Sequence, residues 1–255
     1  MIDRISQAVR VILLDIEGTT TPVDYVFGVL FPYAEEQVEA FLQKHGQEEA
    51  VQADLKRLRQ EYEADCLAAF QRDAVPQRDN RAENWPAWEG NAPAAAVPYI
   101  HFLIAIDRKS TGLKSLQGKI WNQGYQDGTL RSQIFPDVKP AFERWIAAGK
   151  RLYIFSSGSV QAQQLLFRYS EAGDLTQFLS GYFDTQIGMK REPESYHKIA
   201  ATIEVPPAEI LFVSDVVAEL TAARLAGMQG LFSLRPGNSS SDSEGFGVVR
   251  SFDEI

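Results

Sequence analysis

A single cysteine, Cys66, in 255 residues excludes an internal disulfide and fits a reducing compartment. Long apolar runs are missing as well. No window reaches the roughly 18 apolar residues of a membrane helix, and the opening "MIDRISQAVR" lacks the apolar stretch of a secretory signal. Basic charge is scarce: 25 Lys and Arg stand against 34 Asp and Glu, a formal net charge of −9. Such an acidic surface repels nucleic acid and anionic lipid, so neither is expected as a partner. The three histidines, His45, His101 and His197, show no metal-ligand spacing. No internal repeat is present. These absences predict a cytoplasmic, soluble monomer with no membrane or nucleic-acid partner. They also require a local cationic pocket for any anionic small-molecule substrate.

What is present is an ordinary globular composition, 45% hydrophobic and 23% charged, in a chain long enough for one large domain or two small ones. Residues 10–14 form a continuous apolar run, as in a parallel strand covered on both faces. Residues 34–72 read as two amphipathic helices broken near Gly46, with Val38, Phe41, Leu42, Leu55, Leu58 and Tyr62 as apolar positions. Residues 73–97, containing Trp85 and Trp88, read as an ordered loop, and a helix with Pro98 in its first turn follows. Cys66 lies in the helical stretch "EADCLAAF" and reads as a small core residue.

After "FPDV" at 135–138 the rhythm changes to alternating elements. A helix ends at Gly149, the strand "RLYIFSS" follows, and a helix starts near Ser159. A strand "GYFDTQIG" then leads to the helix of "MKREPESYHKIAATI". The strand "EILFVSD" precedes a helix with Gly227 just past its end, and "MQGLFSLR" closes the series. Strand–helix alternation implies an α/β parallel sheet with helices on both faces. Over a hundred residues of helical pattern separate the first strand from the second. That implies a helical domain, residues 22–130, inserted into a core of residues 1–21 plus 131–255. "NAPAAAVP" at 91–98 and "GNSSSDSEG" at 237–245 read as loops.

Three apolar strands end in polar clusters: "VILLDIEGTT", "LYIFSSGS" and "ILFVSD". Ligands of open α/β sheets bind outside the carboxyl ends of the strands, so Asp15, Glu17, Ser156, Ser157, Ser214 and Asp215 can converge on one crevice. Two carboxylates there repel unless a divalent cation intervenes. Mg²⁺ uses one or two carboxylates, retains waters and takes substrate phosphate oxygens. Ser156 and Ser157, with the N–H groups of Gly158 and Ser159 opening a helix, form a phosphate cradle, and Lys190 brings positive charge. Singly, each residue has an ordinary reading. Asp15 and Asp215 can be turn or cap residues, "SSGS" a strand-to-helix turn, Lys190 a surface lysine, and Glu219 a solvent-facing or loop-bracing side chain.

The order of these elements resembles the haloacid dehalogenase superfamily. "VILLDIEGTT" is similar to its first motif, "IFSSG" to the second, Lys190 to the third, and "LFVSD" with Glu219 to the fourth. The match spans residues 10 to about 235. Glu17 departs from the Asp of most phosphatases in the superfamily. "DIEGTT", "SSGS" and "VFGVLFPYA" together resemble its enolase-phosphatase family of methionine salvage. The resemblance implies a HAD-like core with an inserted helical cap that closes over the substrate. It also implies Asp15 as the nucleophile that becomes an aspartyl phosphate. Mg²⁺ would be held by Asp15, by position 17 (usually through its backbone carbonyl) and by Asp215. Phosphate would be bound by Ser156, Ser157 and Lys190. The implied substrate is 2,3-diketo-5-methylthiopentyl-1-phosphate, enolised and then dephosphorylated. Glu17, one methylene longer than Asp, is the candidate general acid/base. Phe27, Leu30, Phe31 and Tyr33 can line an apolar pocket for the methylthio tail or belong to the cap core.

Alternatives remain: a Mg²⁺-dependent phosphatase of another small ester, a metal-free dehalogenase, a phospho-accepting receiver, or a binding protein without activity. Asp215 counts against the second. Chain length counts against the third, and the completeness of the Asp15, Glu17, Ser156, Lys190 and Asp215 set against the fourth.

Overall fold

The computed structural model describes residues 8–73, 86–106, 108, 110–238 and 242–255. The chain forms two compact units, one of Met1–Val29 with Tyr125–Ile255 and one of Leu30–Gly124.

The first unit is built on six parallel strands in the order β3-β2-β1-β4-β5-β6. They are β1 (Val11–Leu14), β2 (Arg151–Phe155), β3 (Leu179–Phe183), β4 (Ile210–Ser214), β5 (Gln229–Ser233) and β6 (Gly247–Val249). The central strand β1 pairs with β2 from Val11↔Arg151 to Leu14↔Ile154 and with β4 from Val11↔Ile210 to Leu14↔Val213. Every residue of β1 is buried, which accounts for its unbroken apolar run. One core cluster joins Val11 and Leu13 to Phe155, Tyr196, Ile199, Phe212, Leu220 and Phe232, each burial stabilising by about 1.5–3 kcal/mol. The helices of this unit include α1 (Val23–Tyr25), α6 (Val138–Ala147), α7 (Val160–Arg168), α8 (Pro193–Ile203) and α9 (Val217–Leu225).

In the second unit, α2 (Phe31–His45), α3 (Glu49–Asp73), α4 (Val97–Ala105) and α5 (Thr111–Gln126, whose last two residues belong to the first unit) supply the framework. Val38 and Leu42 of α2, Leu58 of α3, Tyr99 and Leu103 of α4, and Leu116 and Ile120 of α5 are buried. The break between α2 and α3 falls at Gly46, where only glycine fits, since a Cβ there would stand 2.2 Å from the Leu42 carbonyl and 2.5 Å from Pro93 Cβ. The buried Asp54 accepts a charge-assisted bond from Lys119 Nζ, which also donates to Ser115 Oγ at 2.9 Å. Arg57 lies 4.0 Å from the other Asp54 oxygen.

Several expectations need correction. The third strand runs Leu179–Phe183, earlier than "GYFDTQIG", and residues 185–187 turn. A sixth strand, β6, follows the 237–245 segment. Cys66 is half-buried rather than core. Residues 74–85 of the expected 73–97 loop, including Trp85, lie outside the described residues, while Trp88 is buried. The ordinary reading of Asp215 also fails: α9 has Val216 as its N-cap residue with no side-chain cap bond, so Asp215 does not cap it. No helix among the described residues is long and apolar enough to cross a membrane.

Candidate active site

The carboxyl ends of β1, β2 and β4 bring the predicted residues together. Asp15 directly follows β1, and its N–H donates to the Val213 carbonyl at 3.0 Å, so β4 fixes its position. Beyond it the chain folds into a tight turn, with the N–H groups of Thr20 and Thr21 donating to the Ile16 carbonyl at 2.9 and 3.0 Å. Gly18 adopts φ +67°, and a Cβ on it would stand 2.3 Å from Asp215 Oδ2. Only glycine allows both that conformation and that approach.

Lys190 lies ahead of α8 in a turn closed by two side chains. Tyr196 donates to the Lys190 carbonyl at 2.7 Å, and Ser195 Oγ to the Met189 carbonyl at 2.7 Å. Far from being a surface lysine, Lys190 is 6% exposed. Its Nζ donates to Asp15 Oδ1 at 2.6 Å and lies 2.7 Å from Glu219 Oε2. The Ile16 N–H donates to the same Asp15 oxygen at 2.8 Å. Ser214 Oγ lies 3.1 Å from Asp15 Oδ2 and 3.0 Å from Glu219 Oε2, and it accepts from the Val216 N–H. Glu219 is therefore a buried partner of the lysine, not a solvent-facing side chain. Glu219, read from the sequence as a solvent-facing or loop-bracing side chain, completes the charge network, and Ser214, expected in the crevice, links it to Asp15.

At the end of β2, Ser156 is buried and Ser157 exposed. Ser156 Oγ lies 3.5 Å from Glu17 Oε2 and accepts from the Gly158 N–H at 3.1 Å. Ser159 caps α7 by accepting from the Ala162 N–H. Gln163 ties the turn down by donating to the carbonyls of Gly158 and Phe183.

The electrostatics are lopsided. Burial raises the Asp215 carboxyl to about 7, with Asp15 and Glu219 adding repulsion. Burial and the Asp15 charge likewise raise Glu219 to about 7 against the opposing pull of Lys190. Withdrawal from water, then Asp15, also raises Glu17 above the usual carboxylate range. Burial works to lower Lys190, but Asp15, Glu219 and Glu17 outweigh it and hold the amine above its ordinary value. One lysine thus faces more negative charge than it can neutralise. Among the described residues no group of three or more His, Cys, Asp or Glu side chains is arranged as a metal site. A cation here would draw on the two aspartates together with main-chain, water or substrate oxygens, a donor set suited to Mg²⁺.

A parallel sheet carrying a buried Asp–Lys pair and a second Asp at adjacent strand ends is the architecture of the haloacid dehalogenase-like hydrolases, and that family's description matches residues 9–227. The chain is 56% identical over 248 residues to the enolase-phosphatase E1 of Synechococcus elongatus, covering 97% of this chain and 98% of the relative. It is 45% identical to that of Pseudomonas aeruginosa, covering 97% and 98%. The crystal structure of the UTR4 protein of Saccharomyces cerevisiae superposes with a TM-score of 0.74 at 31% identity, covering 97% of this chain and all of that one. The chain belongs to the enolase-phosphatase family of haloacid dehalogenase-like hydrolases.

Proposed function

We propose that the protein is a Mg²⁺-dependent enolase-phosphatase. It enolises 2,3-diketo-5-methylthiopentyl-1-phosphate and then hydrolyses the enol phosphate to acireductone and phosphate. Near full-length identity to enolase-phosphatases supports the activity. The observation that carries the residue assignment is the bond from buried Lys190 to Asp15 at the end of the central strand, with Glu17 two residues on and in reach of Ser156.

Asp15 is the nucleophile: a carboxylate oxygen forms a bond to phosphorus as the phosphorus–oxygen bond to the enol breaks. Lys190 and the Ile16 N–H orient that carboxylate. Glu17, which burial and the neighbouring Asp15 charge push above the ordinary carboxylate value, protonates the departing oxygen and then deprotonates the water that hydrolyses the aspartyl phosphate. Ser156, Ser157 and Lys190 bind the phosphate. Asp15, the residue-17 position and Asp215 would hold Mg²⁺, which would supply charge neutralisation to the phosphate and to the acidic crevice. The fit rests on Asp215, whose ionised form both burial and Asp15 disfavour until a cation arrives. Residues 22–130 serve as the cap. The protein acts as a cytoplasmic monomer, a reading supported by the lone unpaired cysteine and the acidic composition.

The test is phosphate release from the diketone phosphate with Mg²⁺ and with EDTA, with the absorbance of enol and acireductone followed in parallel. Metal-dependent release after a transient enol is expected. Release from generic esters without diketone turnover would assign the site to another small phosphate ester.

A further inference from the structure

Asn238 lies in the 237–245 segment, which no role above absorbs. Its Nδ2 donates to the Gly18 carbonyl at 2.9 Å and to the Ser233 carbonyl at 3.2 Å. Both partners are acceptors only, so the amide nitrogen must face them and the amide oxygen must face away. That oxygen, Oδ1, is buried and has no hydrogen-bond partner among the described residues. A buried carbonyl-type oxygen without a donor is costly, and an ordered water is a common donor to such an atom. Its direction identifies the donor. The point where a Cβ would stand on Gly18 is 2.8 Å from Asn238 Oδ1 and 2.3 Å from Asp215 Oδ2. The amide oxygen and the aspartate oxygen therefore flank the same small space beside the turn that follows Asp15. The Gly18 carbonyl does not depend on Asn238 alone, because Ser233 Oγ also donates to it at 3.0 Å.

We propose that Asn238 is a positioning residue for the metal site, its Oδ1 accepting a hydrogen bond from a water bound to the Mg²⁺ that Asp215 helps to hold. The inference rests on the Mg²⁺ reading above. A cation that retains several waters needs outer acceptors to orient them, and outer partners of this kind govern affinity as well as activity. The amide suits this place better than a carboxylate would. It accepts without adding another negative charge to a crevice already in excess, and its nitrogen fastens the loop to Gly18.

Mg²⁺ affinity is measured by calorimetry on substrate-free protein, with melting in EDTA as the check on folding. Asn238→Ala should weaken Mg²⁺ by about tenfold or more while melting in EDTA close to wild type, because Ser233 still holds the Gly18 carbonyl. Ser233→Ala removes only that carbonyl bond and should leave Mg²⁺ affinity within about twofold of wild type. Wild-type affinity in Asn238→Ala overturns the proposal. So does an equal loss in Ser233→Ala, which would place the effect in the hydrogen bonding of the Gly18 carbonyl rather than in Oδ1. Absence of Mg²⁺ uptake by the wild-type protein would instead overturn the metal reading itself, and this inference with it.

Discussion

Each unit of the molecule pairs a lysine with a buried aspartate, and the two pairs differ in what surrounds them. In the helical unit Asp54 has Lys119 and, more distantly, Arg57 for company, so one carboxylate meets two cations. In the sheet unit Lys190 meets Asp15 and Glu219 directly, with Glu17 and Asp215 close enough to shift or be shifted by their charge. The first arrangement is electrostatically closed and does structural work. The second is short of positive charge, which is how a protein holds a place for a cation and a phosphate. The two aspartates are equally buried, so what separates a strut from a site is the charge balance around them and the deeper burial of Lys190 than of Lys119.

The sharpest way to break the comparison is to remove each lysine. Lys190→Met leaves a surplus of buried carboxylates and should cost about 3–5 kcal/mol of stability while abolishing phosphate release. Lys119→Met strands Asp54 and should also lower stability, yet turnover per folded molecule should stay at the wild-type level. Denaturant melts alongside phosphate assays separate the two, and loss of turnover in folded Lys119→Met would erase the distinction. Next in size is Glu17→Gln, which removes one negative charge from the surplus. Turnover should fall by about 10²–10⁴-fold, with no loss of stability in the metal-free protein. Near wild-type turnover would remove Glu17 from proton transfer.

The smallest effect is a pH dependence. Asp215 and Glu219 sit at about 7 against ordinary values of 3.8 and 4.5, so between those limits the folded, metal-free protein binds more protons than the unfolded chain. Their contribution to stability is full below about pH 4 and is lost as pH rises through about 7. A cation substitutes for those protons, so added Mg²⁺ should raise the melting temperature more at pH 8 than at pH 5. An increment that does not change with pH would indicate that these carboxylates take no part in binding.

Much of this was legible in the sequence where burial on both faces leaves a mark. The apolar runs ending in Asp15, Ser156 and Asp215 are strands β1, β2 and β4 because central parallel strands admit little but apolar residues. Strand β6 is three residues long and pairs only with β5, so "GVV" carries too little pattern to be read. Glu219 looked like an ordinary helix-surface acid until Lys190 was seen beside it. Asn238 and Gly18 are 220 residues apart, and no periodicity reports a contact across that distance. Nor does the sequence mark Gly18 as the point where Asp215 and the amide approach.

The sheet order has a consequence for how the chain is made. The neighbours of β1 are β2 and β4, residues 151–155 and 210–214. During synthesis the most apolar strand leaves the ribosome without a partner, and the whole helical unit is translated before β2 exists. The helical unit, rich in local contacts, can fold meanwhile, whereas β1 must wait for long-range pairing. Until then it is the segment most open to wrong association or chaperone capture. Because Asp15, Lys190 and Asp215 meet only once β4 is in place, a chain whose synthesis stops before residue 210 carries the complete sequence of the helical unit and no assembled site.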